Sequence, residues 1–351
     1  MELGYSAEMK NGLKLSVDWL SWTFPDSVSL VKALNFIGYY TDEFKECPCG
    51  ANGYRCQLRS DSGVSVLHFG SKGMGIHFEV SGSGILDVIE HFAKTRTKET
   101  IFGSAYQATD FDTPIFCDLL NLIQQKEGHI TRLDLAIDDI GATYYSVHDV
   151  VEILENEQFT SKFRTWKHMK EQKSQVGCTG ETVYLGSRRS NVMLRIYDKQ
   201  KEQNKKLLKA GEPLIETPWV RWEIELKKES ANVASLQLIH SMTLPELTLG
   251  VLSNYFRVID YDKTRKTRCH TSSVWEMFLT AIEKVKVSQP KKILTLHERE
   301  NYLMRQVAPT LASVIIARKG DMDIVYDMLS FGSRRLSSAQ VKMIQEEGVV
   351  L

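Results

Sequence analysis

Along residues 129–139, HITRLDLAIDD, polar and apolar side chains alternate, so Arg132, Asp134, Ala136 and Asp138 share one face of a strand and Leu133, Leu135 and Ile137 the other. WVRWEIELKK at 219–228 repeats the pattern, with Arg221, Glu223 and Glu225 opposite Trp222, Ile224 and Leu226. Between them TVYLGSRRSNVMLRIYDKQKE at 182–202 predicts a hairpin closed by Gly-Ser-Arg-Arg. Its second strand sends Arg195, Tyr197 and Lys199 one way and Leu194 and Ile196 the other. A period of two on every strand predicts a sheet with one buried face and one polar face.

Earlier segments echo these. LHFGSKGMGIHFEV at 67–80 resembles VYLGSRRSNVMLRIY at 183–197, and SVDWL at 16–20 resembles RLDLA at 132–136. Gly70 and Gly186 lie 116 residues apart, and so do Asp18 and Asp134. Helical spacing follows the leading strand in each half, at 27–39 and 145–156. The constant offset predicts an α+β fold of duplicated β-α-β-β units, antiparallel-rich, with helices on one face and the other face open. In the first copy His77 and Glu79 take the places of Arg195 and Tyr197. That half, 12–128, is therefore read as a holding half without the tyrosine, with His77 as a candidate neighbour of the reacting phosphate. Residues 129–258 carry the tyrosine. A polar, basic boundary at 258–273 precedes a C-terminal helical region at 274–351, with helical patterns at 274–285 and, after a break at Pro290, at 297–320 and 322–332, and at LSSAQVKMIQEEG, whose SSAQ is an N-cap signal.

The chemistry worth explaining is a tyrosine among cations. A phenol beside Lys and Arg can be drawn toward phenolate, and an oxygen nucleophile next to positive charge is what attack on a phosphodiester requires. The plainer alternative is a strand tyrosine packed against its neighbours. Two carboxylates at i, i+2 on each of two strands repel unless a cation lies among them, and an all-oxygen donor set suits Mg²⁺ or Mn²⁺. A solvated face of Glu and Arg is the alternative here.

ITRLDLAIDD, TVYLGSRRSNVMLRIYDKQKEQ and VRWEIELKK together resemble the replication initiation factor family of rolling-circle elements, related to relaxases of conjugative elements and to filamentous-phage initiators. The resemblance spans roughly residues 12–260. It implies a metal-dependent, sequence-specific enzyme that nicks and rejoins DNA through a covalent 5′-phosphotyrosine. Tyr197 matches the nucleophile, and Asp134 and Glu223 match the acidic positions best, with Asp138 and Glu225 as further metal candidates. Arg195 and Lys199 are assigned to the reacting phosphate, and Arg188, Arg189, Lys201, Lys205, Arg265 and Lys266 to DNA binding. Origin DNA and single-stranded DNA are the implied partners. A relaxase role and a non-catalytic DNA-binding regulator are the competing readings.

Composition narrows this further. The formal net charge of the 351 residues is zero, yet 161–210 holds 13 Lys or Arg against 4 Asp or Glu and 261–306 holds 10 against 5. Positive charge thus gathers where phosphates would lie. No G-x-x-x-x-G-K-[ST] loop occurs, so unwinding is expected of a host helicase. No histidine-hydrophobic-histidine pair is present, which disfavours nucleases that bind metal that way. The six cysteines, at a low density, suit reduced thiols and a cytoplasmic setting, and CPCGANGYRC lacks paired Cys-x-x-Cys knuckles and reads as a loop. No apolar run is long enough for a membrane span. Whether one subunit acts or a homodimer stays open.

Overall fold

The computed structural model describes residues 12–97, 113–174, 177–284, 303 and 307–333. Ten strands form one antiparallel sheet. The first half supplies β1 (Gly12–Phe24), β2 (Lys45–Glu46), β3 (Cys56–Arg59), β4 (Ser65–His68) and β5 (Ile76–Ser81). The second supplies β6 (His129–Ile140), β8 (Trp166–Lys173), β9 (Gly177–Leu185), β10 (Val192–Asp198) and β11 (Trp219–Lys227). Their spatial order is β2-β3-β4-β5-β1-β6-β11-β10-β9-β8. The leading strands β1 and β6 therefore pair at the centre. A separate two-stranded ribbon joins β7 (Phe159–Ser161) to β12 (Phe256–Val258).

The helices are α1 (Leu30–Phe36), α2 (Ser83–Thr97), α3 (Thr113–Gln125), α4 (Val147–Glu155), α5 (Lys199–Ala210), α6 (Glu229–Ile239), α7 (Leu244–Tyr255) and α8 (Ser273–Lys284). Local sequence explains their starts. Ser146 with Asp149 and Thr243 with Glu246 form capping boxes for α4 and α7. Asp198 accepts the Lys201 backbone N–H and opens α5, which Gly211 closes in the left-handed region at φ 73°.

The apolar strand faces and most helices enclose one core that runs through both halves. Trp22, Phe78, Leu135, Ile196, Trp222 and Ile224 contribute to it from the strands. Each such side chain buried is worth about 1.5–3 kcal/mol. Trp222 also packs beside Trp275 and Phe278 of α8, at ring separations of 5.7 and 5.2 Å. With Trp275, Phe278 and Ile282 all fully buried, α8 belongs to this unit. The two compact units are Met1–Ser288 and Gln289–Leu351, so the division falls beyond α8 and not at 258–274, and the two halves read as separate domains are one continuous sheet. The second unit contains helices Ala308–Ala317 and Asp323–Ser333; the helix expected at LSSAQVKMIQEEG lies outside the described residues.

The repeat is longer than β-α-β-β. Shifted by 116, β1, α1, β4, β5, α2 and α3 fall on β6, α4, β9, β10, α5 and α6, and β3 on the end of β8. The symmetry is nevertheless broken. β1 pairs directly with β5, whereas β11 lies between β6 and β10. Within the hairpins Ser65 lies opposite Glu79 and Thr182 opposite Tyr197, but the two pairs are offset by 117 and 118 residues and not by 116, so the hairpins depart from the register of the repeat. Glu79 is one strand nearer the sheet centre than Tyr197.

Helix α5 departs from the expected arrangement. KQKEQNKKLLKA has no apolar stripe to bury in the core. It lies instead on the polar face, where Lys205 pairs with Glu171 of β8 and Lys199 reaches Tyr197. There α5 packs over β9 and β11.

Candidate functional site

Strand register puts the predicted residues in rows on the polar face. Tyr197, Arg221, Asp138 and Lys14 form one row across β10, β11, β6 and β1. Arg195, Glu223, Ala136 and Ser16 form the next, and Met193, Glu225, Asp134 and Trp19 the one after. Tyr197, Glu223 and Asp134 thus share the face that period-two alternation assigned them. The first two touch directly.

Tyr197 is 6% exposed, and its hydroxyl lies 3.3 Å from Glu223 Oε2 and 3.4 Å from Lys199 Nζ. Arg195 donates to both oxygens of Glu223 at 2.7 and 2.6 Å and stacks over the Tyr197 ring at 4.6 Å. Lys199 is not on the strand, which ends at Asp198; it is the first residue of α5 and bends back to the phenol, anchored to Glu202 at 2.8 Å. Burial pushes the Tyr197 phenol above its ordinary range, with Arg221 and Arg195 opposing. The resting group is therefore the neutral phenol, contrary to the expectation that the cations would draw it toward phenolate. Burial lowers Lys199, whereas Glu202, which burial would raise, is held at about 2 by Lys199 and Lys206.

The remaining carboxylates are matched by arginines. Asp138 accepts from Arg221 Nε and Nη2, both at 2.7 Å, and from Trp219 Nε1 at 2.6 Å. Arg221 also pairs with Asp18, which sits at a bulge of β1 between Val17 and Trp19. One buried guanidinium so ties the two halves together. Arg132 pairs with Asp134 at 2.9 and 2.5 Å and with Glu225 at 2.9 Å, and stacks on Trp19 at 4.4 Å. Burial raises Asp134 to about 7 despite Arg132, with Glu223 and Glu225 adding to the rise.

Crowded oxygen donors of this kind match a hard divalent cation in type. In arrangement they are occupied: Arg132 sits between Asp134 and Glu225, Asp138 is committed to Arg221 and Trp219, and among the described residues no three His, Cys, Asp or Glu side chains converge as metal ligands.

Other sequence-derived candidates scatter. Arg188 and Arg189 are exposed on the turn between β9 and β10. Lys201 pairs with Asp198 at 3.0 Å, and Lys205 with Glu171. Lys266 reaches Glu157 at 2.9 Å and lies over the Phe159 and Tyr261 rings, beside the β7–β12 ribbon and away from Tyr197; Arg265 is exposed next to it. His77 bonds Thr23 at 2.8 Å and faces Glu79 at 3.6 Å on β5. Four strand spacings of about 4.8 Å separate β5 from β10, so His77 is not beside Tyr197.

Residues 128–329 match the family model described as replication initiation factor. The chain belongs to that family. It is 31% identical over 248 residues to a protein of Bacillus subtilis (strain 168) described as putative DNA relaxase NicK, a match covering 69% of this chain and 64% of that protein. It is also similar to the structure of a rolling circle replication initiator protein from Geobacillus stearothermophilus, with TM-score 0.61 and 26% identity over 79% of this chain and 99% of that one. The family match begins at β6, includes the tyrosine hairpin, β11 and the helix Ala308–Ala317, and ends within the helix Asp323–Ser333.

Against this family background, three site residues escaped the sequence reading. Asp18 was visible only as the counterpart of Asp134. Glu202 lies one helical turn after Lys199 within YDKQKE, a spacing that could have revealed it. Arg221 was placed on the right face, but its span from Asp138 to Asp18 depends on β1 and β11 flanking β6.

Proposed function

We propose that this chain cuts one strand of origin DNA with Tyr197, keeps the 5′ phosphate as a phosphotyrosine and later rejoins it, so starting rolling-circle replication. The observation that carries the reading is the Tyr197 hydroxyl, held on the polar face between Glu223 and Lys199 with Arg195 alongside. As the tyrosine oxygen bonds to phosphorus its proton passes to Glu223, the bond from phosphorus to the 3′ oxygen breaks, and that oxygen leaves and takes a proton from solvent to become a 3′ hydroxyl, Glu223 later releasing its own to solvent. Arg195 and Lys199 offset the charge that builds on the phosphate. Rejoining reverses these events: a 3′ hydroxyl attacks the phosphotyrosine and Tyr197 recovers its proton.

Mg²⁺ or Mn²⁺ is the ion expected for such a reaction, but Asp134 and Glu225 are held by Arg132 and Glu223 by Arg195, so these carboxylates as arranged do not fit it and no step is routed through it. Asp138 serves to orient Arg221. Single-stranded DNA passing over the polar face, a host helicase to unwind the nicked duplex, and a cytoplasmic setting complete the proposal. Among the described residues no helix is long and apolar enough to cross a membrane. The same chemistry at a transfer origin would make the chain a relaxase of a conjugative element, a reading favoured by the relative described as a putative DNA relaxase.

The test is covalent capture. The full chain is incubated with Mn²⁺ and a pool of end-labelled single-stranded oligonucleotides, and adducts that survive denaturing gels are mapped by mass spectrometry. A DNA adduct on Tyr197, lost in Tyr197→Phe with oligonucleotide binding retained, is the expected result. Binding with no adduct would leave a non-catalytic regulator, and an adduct on Tyr184, which faces Arg195 from β9, would move the nucleophile.

A further inference from the structure

The closed end of the tyrosine hairpin contains a cavity that the nicking reaction does not use. It measures about 410 Å³ and is bounded by Lys162, Phe163, Arg164 and Thr165 before β8, by Gly186, Ser187, Ser190, Asn191 and Val192 of the hairpin turn, and by Tyr255 at the end of α7. That volume is in the range of small-ligand sites. Its walls are of two kinds.

One wall is aromatic. Phe163 and Tyr255 stand 5.3 Å apart, and a Cβ on Gly186, whose φ is 95°, would come within 2.9 Å of the Phe163 ring. Glycine lets the turn close onto this ring, and the Gly186 N–H donates to Thr165 O at 2.8 Å. The other wall is cationic and polar. Lys162 bonds Asn254 and lies 5.5 Å from the Tyr255 ring. The side chains of Arg164, Thr165, Ser190 and Asn191 make no hydrogen bond or ion pair among the described residues. A ring wall, an uncommitted guanidinium and a set of hydroxyl and amide groups are complementary to an aromatic base joined to a phosphate.

We infer that this cavity receives one unstacked nucleotide of the bound DNA strand, its base against Tyr255 and Phe163 and its phosphate at Arg164. Val192 borders the cavity from the apolar face of β10, whereas Tyr197, five residues further along, is on the polar face, so a strand lying on the polar face reaches the cavity by turning over the hairpin end of the sheet. Such a pocket would fix where the strand lies along the sheet, which backbone contacts alone cannot do.

The test uses the full chain carrying Tyr197→Phe, so that binding is read without cleavage and independently of whether Tyr197 is the nucleophile. Single-stranded 20-mers with one 5-iodouracil at successive positions are photo-crosslinked and the products mapped. Crosslinks to Tyr255 or Phe163 are expected. Arg164→Ala should weaken oligonucleotide binding about tenfold, the size of one base or phosphate contact, and Ser190→Ala with Asn191→Ala, both on the exposed turn, should reduce the same crosslink. Thymidine 5′-monophosphate should compete for the crosslink where inorganic phosphate at equal concentration does not. Crosslinks found only on other segments, unchanged binding in Arg164→Ala, or equal competition by phosphate, which would make it a plain anion site, would each overturn the assignment.

Discussion

The Tyr197 hydroxyl and the Glu223 carboxylate, on adjacent strands, meet at 3.3 Å, and Arg195 holds that carboxylate with two hydrogen bonds from Nη2. Glu223 is therefore placed to accept the phenol proton before it is placed to do anything else. Glu223→Gln keeps the shape and the hydrogen bond but removes the base, and it should lower the single-turnover nicking rate about 10²–10⁴-fold with oligonucleotide affinity within about threefold of wild type. Rapid-quench kinetics beside anisotropy would check this. An unchanged rate would remove Glu223 from proton transfer.

Lys199 and Glu202 roof the phenol from α5. Lys199→Ala should open Tyr197 to solvent, so that nitration by tetranitromethane, slow in wild type, becomes comparable to that of the exposed Tyr40 or Tyr261. Peptide mapping reads the outcome. Glu202→Gln, which loosens the roof without removing it, should fall between the two.

Asp134 supplies a pH dependence. Its folded pKa of about 7 exceeds the ordinary carboxyl value, so the native state holds a proton that the unfolded chain releases near pH 4. The contribution to stability is full below that ordinary value and is lost as pH rises through about 7. Wild type should therefore lose more stability between pH 5 and 8 than Asp134→Asn, in urea unfolding at fixed ionic strength. If Asp134 helps bind a divalent ion, Mn²⁺ should pull the titration downward and release a proton on binding, measurable by calorimetry in buffers of different ionisation enthalpy.

The placement of α8 has a simple consequence. Trp275 is fully buried against Trp222 and Phe256, so Trp275→Ala should cost about 3–5 kcal/mol. A chain ended at residue 258 should fail to fold cooperatively, whereas one ended at 288 should unfold in a single transition. Thermal melts of the two would decide, and a stable 1–258 fragment would return the boundary to the polar segment at 258–273.

What the sequence determined by itself is set by local rules. Alternation along β6, β10 and β11 assigned Asp134, Glu223, Glu225, Arg195 and Tyr197 to one face, because successive side chains on any strand point opposite ways. The 116-residue offset exposed the duplication because a repeated unit repeats its glycines and its acids. The tertiary structure decided everything that depends on which strands are neighbours. Only the order β1-β6-β11-β10 brings Asp18 to Arg221 and separates His77 from Tyr197. It also decided which carboxylates are paired with arginine, since a guanidinium reaches across strands and not along one. Helix α5 illustrates the limit: its composition shows a polar helix, but that it turns back over the phenol and keeps Tyr197 buried and neutral follows from its packing on β9 and β11, which no pattern in KQKEQNKKLLKA encodes.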